Sequence, residues 1–292
     1  MFKFSKQNLF TISMILVLII GFAVYHHVKT GTEKAQYTAV SGENLKLVTV
    51  NNKKMACYET GTGDKTIVLL SGWGTENPSS DFKPLIDAFS SDYKVVVIEY
   101  FGYGKSDITT DERSNKVIVE EIRAALKEMQ IEPPYILMPH SMSGLHSLSY
   151  ATSYPEEILA IIGIDASLPQ KQLERWTIES FEKDKLDEAT SNLNISIVNQ
   201  WNKFFDNSQE LKDVKYPHNL PVLSFLATEQ IAAVDEMIKS GKMQTTWLQI
   251  NKNMITNQDI QLIKILDGEH YLHHSQADKI AKMATEFLAD TL

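Results

Sequence analysis

Short apolar runs alternate along this chain with longer segments in which apolar residues recur every three or four positions. Short runs bounded by Gly, Ser or Asp are typical of strands buried on both faces, whereas the longer pattern is typical of amphipathic helices. Six runs are predicted strands, at residues 66–70, 95–100, 135–138, 158–164, 222–227 and 260–266. Their alternation with helices predicts an α/β fold whose sheet is mostly parallel and covered by helices on both faces.

Two more strands and four helices complete the predicted pattern. Residues 45–50 and 54–60 alternate between apolar and polar, and Asn51 and Asn52 between them are typical of a tight hairpin turn. The predicted sheet therefore has eight strands. The helical pattern covers residues 82–89, 117–129, 144–154 and 277–288.

The N-terminal segment is a candidate membrane anchor. Residues 9–25 are nearly all apolar, and their number suits a single crossing of a bilayer as a helix. Because Lys3 and Lys6 precede this run, we expect the rest of the chain to lie outside the cytoplasm. We therefore predict a single-pass transmembrane helix in residues 1–28 and a location at the cell membrane. The alternative is a signal peptide whose cleavage secretes the protein.

An insertion divides the rest of the chain. Residues 29–43 are polar and predict a linker, and the strand–helix alternation occupies residues 44–167 and 222–292, the predicted core. Residues 168–221 have a helical composition with many charges and predict a helical cap over the edge of the sheet. The aromatic residues of this cap either line an apolar pocket or attach the cap to the core: Trp176, Phe181, Trp201, Phe204 and Phe205.

Composition narrows the range of partners. The 292-residue chain has a formal net charge of −9 and no cluster of Lys and Arg with interleaved aromatic residues, so we expect no nucleic-acid partner. Its single cysteine, Cys57, excludes an intrachain disulfide and is predicted to pack as a small hydrophobic residue.

The segment at residues 135–144, Y-I-L-M-P-H-S-M-S-G, contains the candidate nucleophile, Ser141. An apolar strand ends abruptly and small residues follow, which is typical of a sharp strand-to-helix turn with a serine at its apex. The pattern is G-x-S-x-G with Pro139 at the first glycine position and Ser143 at the second. The competing interpretation is a serine-rich loop before an ordinary helix.

A serine nucleophile needs a base and a carboxylate that orients the base. His270 follows the last predicted strand, in D-G-E-H-Y, and is the candidate base. Two carboxylates are candidates for the acid: Asp165 at the end of strand 158–164, and Glu229 after strand 222–227. We favour Asp165, because it directly follows a buried strand and would need a partner there.

The oxyanion hole is predicted only from the positions of two segments relative to the predicted strands and helices. The segment S-G-W-G at residues 71–74 follows the strand 66–70, and a serine elbow places backbone N–H groups at the start of the next helix. We assign the backbone N–H groups of Trp73 and Met142 as the oxyanion donors.

Two further patterns are judged not to be sites. His270, His273 and His274 have a spacing seen in metal ligands, but no nearby Cys or H-E-x-x-H completes a zinc set. His273 and His274 are instead predicted to begin the last helix. The segment G-K-S at residues 104–106 lacks the first glycine of a P-loop. No metal and no cofactor are therefore expected.

Taken in order, these parts resemble the α/β-hydrolase fold family. The matching pieces are S-G-W-G, F-G-Y-G-K-S-D, P-H-S-M-S-G, I-D-A-S-L-P and D-G-E-H-Y, and the resemblance covers residues 44–292, with the insertion in the usual cap position of the family. It implies a Ser–His–acid mechanism through an acyl-enzyme.

The chain departs from the family pattern in three ways. Ser71 replaces the usual His before the oxyanion glycine, Pro139 and Ser143 replace the elbow glycines, and the usual Asp after the seventh strand is missing. Some members carry the acid after the sixth strand, and Asp165 fits that arrangement.

The sequence therefore predicts a membrane-anchored serine hydrolase, most simply a carboxylesterase that acts on a small lipophilic ester. An amidase or aminopeptidase with the same residues is the first alternative, and it would use acidic residues of the cap to hold a free amine. A second alternative is a hydrolase-derived protein that binds a small molecule with little turnover. The acidic cap residues are Glu174, Glu179 and Glu182.

Overall fold

The computed structural model describes residues 42–169, 193–240 and 244–292. The predicted membrane segment, most of the linker and residues 170–192 of the predicted cap lie outside these ranges, as do Trp176, Phe181 and the three acidic cap residues. Within the described ranges, no helix combines the length and apolar character needed to cross a bilayer.

The described chain contains one eight-stranded sheet, as predicted. The strands are β1 Leu45–Val50, β2 Lys53–Thr60, β3 Thr66–Leu70, β4 Lys94–Glu99, β5 Tyr135–Pro139, β6 Ile158–Ile164, β7 Val222–Ala227 and β8 Gln261–Leu266. They lie in the spatial order β1-β2-β4-β3-β5-β6-β7-β8. The first two pairings, β1 with β2 and β2 with β4, are antiparallel, and all pairings between β4 and β8 in this order are parallel.

Helices follow most of the parallel strands. In chain order they are α1 Pro78–Asp81, α2 Lys83–Phe89, α3 Asn115–Glu128, α4 Ser143–Ser153, α5 Ile195–Glu210, α6 Thr228–Lys239, α7 Trp247–Met254, α8 Leu272–Ser275 and α9 Ala277–Thr291. Short 3₁₀ turns cover Gly42–Asn44 and Pro155–Glu157. Helix α5 lies in the predicted cap, and the other helices pack in the core region.

The first hairpin has the predicted turn. Asn51 and Asn52 both adopt positive φ, at 51° and 61°, and Val50 pairs with Lys53 across the turn. Asparagine tolerates this left-handed conformation, which gives the chain reversal a twist that suits the flanking strands.

The inner parallel strands are buried on both faces, which explains their continuous apolar sequences, whereas the edge strand β8 is partly exposed. In β3, Val68 and Leu70 belong to the apolar cluster on one face, whereas Ile67 and Leu69 belong to the cluster on the other. All four are fully buried. Polar side chains are therefore few within the inner strands and collect at the carboxyl ends of the sheet.

Several helices differ from the sequence prediction. The helix predicted over residues 82–89 is confirmed as α2, which has Phe82 as its N-cap and Pro84 in its first turn. The short helix α1, which Asn77 and Pro78 begin, precedes it and was not predicted. His273 and His274 lie in the separate short helix α8 and not at the start of α9, so that prediction was wrong. Helices α6 and α7 were not predicted.

Candidate active site

Ser141 lies at the apex of a tight turn between β5 and α4. Its φ of 51° is in the left-handed region, which a non-glycine residue adopts only when its surroundings impose it. The Ser141 N–H donates to the Ile164 carbonyl at 3.3 Å, and the Ser167 N–H donates to the Ser141 carbonyl at 2.7 Å. These contacts with the end of β6 hold the turn in place and leave the side chain half-buried.

The residues after Ser141 explain how this turn forms without the usual glycine two positions later. The glycine that this turn requires is Gly144, one position later, because a Cβ at residue 144 would lie 2.2 Å from the Ser167 carbonyl oxygen. Ser143 stands at the family glycine position, and its hydroxyl donates to the Ser71 carbonyl at 2.5 Å and lies 2.8 Å from the Tyr100 hydroxyl. Ser143 therefore ties the turn to the loop that follows β3.

That loop passes directly beside the nucleophile candidate. A Cβ added to Gly72 would lie 2.9 Å from Ser141 Cβ and 2.9 Å from His140 Nδ1. Among the described residues, the backbone N–H groups of Trp73 and Met142 have no hydrogen-bond acceptor. Met142 is the N-cap of α4, where helix geometry leaves N–H groups without an intrahelical acceptor. Both predicted oxyanion donors are thus available to a ligand.

His270 and Asp165 form a buried pair. His270 Nδ1 donates to Asp165 Oδ2 at 2.6 Å, and the carboxylate is fully buried whereas the imidazole is 20% exposed. Asp165 directly follows β6 with a φ of 41°, and its own N–H donates to the Phe225 carbonyl at 2.8 Å. A buried carboxylate requires such partners, because an unpaired charge is strongly disfavoured there.

Asp165 also accepts hydrogen bonds on its other oxygen. Trp247 Nε1 donates to Oδ1 at 3.0 Å, and the Ala227 N–H lies 3.4 Å from the same atom. Trp247 begins α7, which was not predicted, and no local pattern in the sequence indicated a donor 82 residues from Asp165. One carboxylate oxygen of Asp165 therefore accepts from His270, and the other accepts from Trp247 and the Ala227 backbone.

Glu229, the alternative acid, lies elsewhere. It is exposed on the first turn of α6, and its backbone N–H, not its carboxylate, reaches the His270 loop by donating to the Gly268 carbonyl at 3.2 Å. The neighbouring Thr228 hydroxyl donates to Asp267 at 3.0 Å. The structure thus brings Asp165 to His270, and Glu229 supports the loop through its backbone.

His140 lies beneath His270. Its ring is fully buried, its Nε2 donates to the His270 carbonyl at 3.2 Å, and the two ring centroids are 4.7 Å apart. Burial, together with the nearby His270 and His273, holds the pKa of His140 well below its usual value. The neutral ring therefore carries its proton on Nε2, since the carbonyl can only accept. His140 therefore packs beside the elbow as a neutral ring.

The described part of the cap contacts the oxyanion loop. Trp73 Nε1 donates to the Ile197 carbonyl of α5 at 2.9 Å, and the ring of Trp73 lies 4.8 Å from that of Trp201. Trp201 in turn stacks on Phe204 with centroids 5.9 Å apart. Trp201 and Phe204 of the cap therefore form an aromatic surface next to the loop that carries Trp73.

A buried polar network joins the same helix to the core. The Gly74 N–H donates to the Tyr103 hydroxyl at 3.2 Å, and that hydroxyl donates to Gln200 Oε1. The Gln200 amide nitrogen lies 3.3 Å from His146 Nε2, and His146 Nδ1 lies 3.0 Å from Asn115 Oδ1. His146 thus accepts at Nε2 and donates from Nδ1. Burial and the nearby Arg113 lower its pKa to about 3, so the ring is neutral.

A second cluster of titratable side chains lies next to the His270 loop. His273 Nε2 is 2.9 Å from Asp81 Oδ2, and His274 Nε2 is 2.8 Å from Asp81 Oδ1. Burial lowers the pKa of His273 to about 4. Although burial opposes ionisation of Asp81, the two histidines hold the pKa of its carboxyl well below the usual range. The sequence singled out the two histidines but gave no sign of Asp81, which is 192 residues before His273.

Comparisons with known proteins agree with this fold. The family described as alpha/beta hydrolase fold matches residues 65–283. YbdG of Bacillus subtilis (strain 168), described as uncharacterized, is 38% identical over 159 residues, which cover 54% of this chain and 48% of that protein. A pimeloyl-[acyl-carrier protein] methyl ester esterase of Hamiltonella defensa is 28% identical over 145 residues, which cover 48% of this chain and 53% of that protein.

The chain thus spans about half the length of these two curated relatives. The crystal structure of a bromoperoxidase from Bacillus anthracis matches with a TM-score of 0.63 and 16% sequence identity, over 84% of this chain and all of that one. A likeness at this identity concerns the fold, whereas the family match covers most of the chain, including the elbow, Asp165 and the His270 loop. The chain therefore belongs to the alpha/beta hydrolase fold family.

Proposed function

We propose that this protein is a serine hydrolase in which Ser141 is the nucleophile, His270 the general base and Asp165 the orienting acid. The observation that carries the proposal is the 2.6 Å hydrogen bond between His270 Nδ1 and the fully buried Asp165 carboxylate, at the same end of the sheet as the strained Ser141 turn. Such a carboxylate fixes the imidazole tautomer that leaves Nε2 free to accept a proton.

The mechanism follows from these positions. Ser141 Oγ attacks the carbonyl carbon of an ester while His270 Nε2 takes the hydroxyl proton, and the Trp73 and Met142 N–H groups donate to the oxyanion. His270 then protonates the departing alcohol, which leaves an acyl-enzyme. A water molecule, deprotonated by His270, attacks the acyl carbon, and Ser141 recovers its proton. Asp165 stays ionised and stabilises the imidazolium in each half-reaction.

The proposed substrate is a lipophilic carboxylic ester. The aromatic surface formed by Trp73, Trp201 and Phe204 offers apolar contact above the oxyanion loop. The similarity to a methyl ester esterase supports ester chemistry. Epoxide hydrolases and dehalogenases of this family use Asp as the nucleophile, whereas this chain has Ser141 at that position.

The decisive experiment is labelling of the full-length protein with a fluorophosphonate probe. We expect labelling of wild type at Ser141, located by peptide mass spectrometry, and loss of labelling in Ser141→Ala and His270→Ala. The matched control is Ser167→Ala, a nearby serine whose backbone, not side chain, holds the turn. An unlabelled wild-type protein that is correctly folded would favour the small-molecule binding protein over the enzyme.

Substrate class is tested separately. We expect p-nitrophenyl esters of medium chain length to be hydrolysed with a higher kcat/KM than acetyl esters, and acyl p-nitroanilides to be poor substrates. Faster hydrolysis of aminoacyl anilides than of esters would favour the amidase or aminopeptidase.

We also propose that the N-terminal segment anchors the enzyme in the cell membrane with the catalytic domain outside the cytoplasm. The apolar residues 9–25 and the preceding Lys3 and Lys6 support this proposal. Full-length protein should sediment with membranes after carbonate washing and be accessible to protease added outside spheroplasts. Recovery of a shortened chain in the medium would favour signal cleavage.

A further inference from the structure

We propose that Asp81, His273 and His274 form a binding site for a single divalent transition-metal ion of the Zn²⁺ type, separate from the Ser141 site. One ligand atom from each of the three residues lies within 4.8 Å of the other two. Two imidazole nitrogens and a carboxylate oxygen are donors that Zn²⁺ and related ions prefer.

The geometry of the donors suits one ion. The two histidines approach different oxygens of the same carboxylate, at 2.9 and 2.8 Å. Donors bound to one tetrahedral ion at roughly 2.0–2.1 Å are separated by about 3.4 Å. The two short contacts would therefore open by about 0.5 Å, and the remaining separation among the three ligand atoms, at most 4.8 Å, would have to approach the same value. Water would complete the coordination sphere.

The three donors come from two helices that are far apart in the sequence and are held in place by their neighbours. Asp81 ends α1, where its N–H donates to the Asn77 carbonyl at 2.9 Å, and the histidines lie on α8. The His274 ring stacks on Tyr271 with centroids 5.1 Å apart, and the His273 ring lies 5.0 Å from Phe82. These contacts restrict the ring orientations, so little ordering is required when an ion binds.

An ion can reach the cluster from solvent. His273 is fully buried, but the side chains of Asp81 and His274 are 14% and 15% exposed. His274 also lines an open surface depression together with Pro84, Asp87 and Ser275. The inner ligand, His273, is therefore shielded, and His274 faces the depression through which an ion would enter.

The hydrogen bonds to Asp81 do not give every ring nitrogen of the cluster a partner. Within the described chain, the buried Nδ1 of His273 has no partner. When a metal binds at Nε2, the ring proton of a neutral imidazole moves to Nδ1, and no net proton is released. The neighbouring ring of His140, with its centroid 4.8 Å away, carries an Nδ1 acceptor that is likewise unpartnered.

The test is metal titration of the full-length protein, produced without a histidine tag and stripped with a chelator. We expect Co²⁺ to give visible absorption bands of a tetrahedral nitrogen–oxygen site with one ion per chain. Zn²⁺ should displace Co²⁺ and raise Tm. Both Asp81→Asn and His274→Ala should weaken binding at least tenfold, and His274→Ala decides the matter if Asp81→Asn does not fold.

Two controls separate this site from other histidines. His218→Ala removes an exposed histidine that bonds to the Thr256 carbonyl, and His270→Ala removes the proposed base; both should bind metal as wild type does. Absence of binding to wild type overturns the proposal, as does binding that survives in His274→Ala. Loss of binding in His270→Ala with retention in His274→Ala would place the ion at the Ser141 site and also overturns it.

Discussion

His270 and Asp165 are separated by 105 residues in the chain, and Nδ1 of the histidine donates to Oδ2 of the aspartate at 2.6 Å. The contact arises because β6 and β8 flank β7 in the sheet. Their carboxyl ends are therefore about 10 Å apart, and two inclined side chains can bridge that gap. The pair lies beside the turn at Ser141, where the Ser141 N–H donates to the carbonyl of Ile164, the last residue of β6.

The choice of acid is the first prediction. Asp165→Asn should lower kcat of ester hydrolysis by about 10³–10⁴-fold, because the amide no longer favours the tautomer with a free Nε2. Glu229→Gln, the matched control, should retain wild-type kcat, since the Glu229 side chain is exposed and only its backbone reaches the His270 loop. Steady-state kinetics with circular dichroism of both variants provides the check, and the opposite ranking would assign the acid to Glu229.

The second prediction concerns the close packing of Gly72 against Ser141, the proposed nucleophile. Gly72→Ala should lower kcat/KM about 10²-fold without unfolding the protein, because the new Cβ would lie 2.9 Å from Ser141 Cβ and displace it. Gly163→Ala, inside β6, is the matched control, since its nearest neighbour would be at 3.4 Å, an ordinary contact. Equal activities of the two variants would contradict the position of this loop.

The third prediction concerns the anchoring of the oxyanion loop to the cap. Tyr103→Phe removes the hydroxyl that accepts from the Gly74 N–H and donates to Gln200. The buried groups left without partners should lower the free energy of unfolding by about 1–3 kcal/mol. Because Trp73 precedes Gly74, kcat should fall while KM changes little.

The control for this prediction is Tyr154→Phe, which removes a hydroxyl bonded to Glu120 on another part of the molecule. Urea unfolding should show a smaller loss of stability for this variant, and its kcat should equal that of wild type. A Tyr103→Phe protein that is destabilised but has an unchanged kcat would show that the network is structural only.

The fourth prediction is a pH dependence of stability from His146. Its pKa is about 3 in the folded protein, below the ordinary value of 6.5, so the unfolded chain binds a proton that the folded protein excludes. The resulting stability is fully present above pH 6.5 and is lost as the pH falls toward 3. At pH 5 the loss is about 2 kcal/mol.

Comparison with His146→Gln isolates this contribution, since the other buried histidines are common to both proteins. The free energy of unfolding, measured with urea between pH 7 and 5, should fall more steeply for wild type than for the variant, by about 2 kcal/mol. Parallel curves for the two proteins would mean that His146 takes up a proton without unfolding.

Much of the fold was predictable because its causes are local. Strands that are buried on both faces must be continuous apolar runs, so β3 to β7 were recognised with bounds within a residue or so of the structure. The Asn51-Asn52 turn was recognised because asparagine tolerates the left-handed conformation. The Ser141 elbow was recognised because an apolar strand ends there abruptly and small residues follow. The helix over residues 82–89 was recognised from its apolar spacing and is α2, whereas α1 was missed because four residues are too few to show a helical period.

The sequence by itself determined the order of the elements, the residue at the elbow and a histidine after the last strand, because each depends on neighbours in the chain. Only the tertiary structure decided which carboxylate meets His270, why Trp247 holds that carboxylate, and how Asp81 comes to two histidines nearly 200 residues later. These pairings depend on which loops meet above the sheet. That is set by strand order and helix packing over distances that no local pattern of polar and apolar residues encodes.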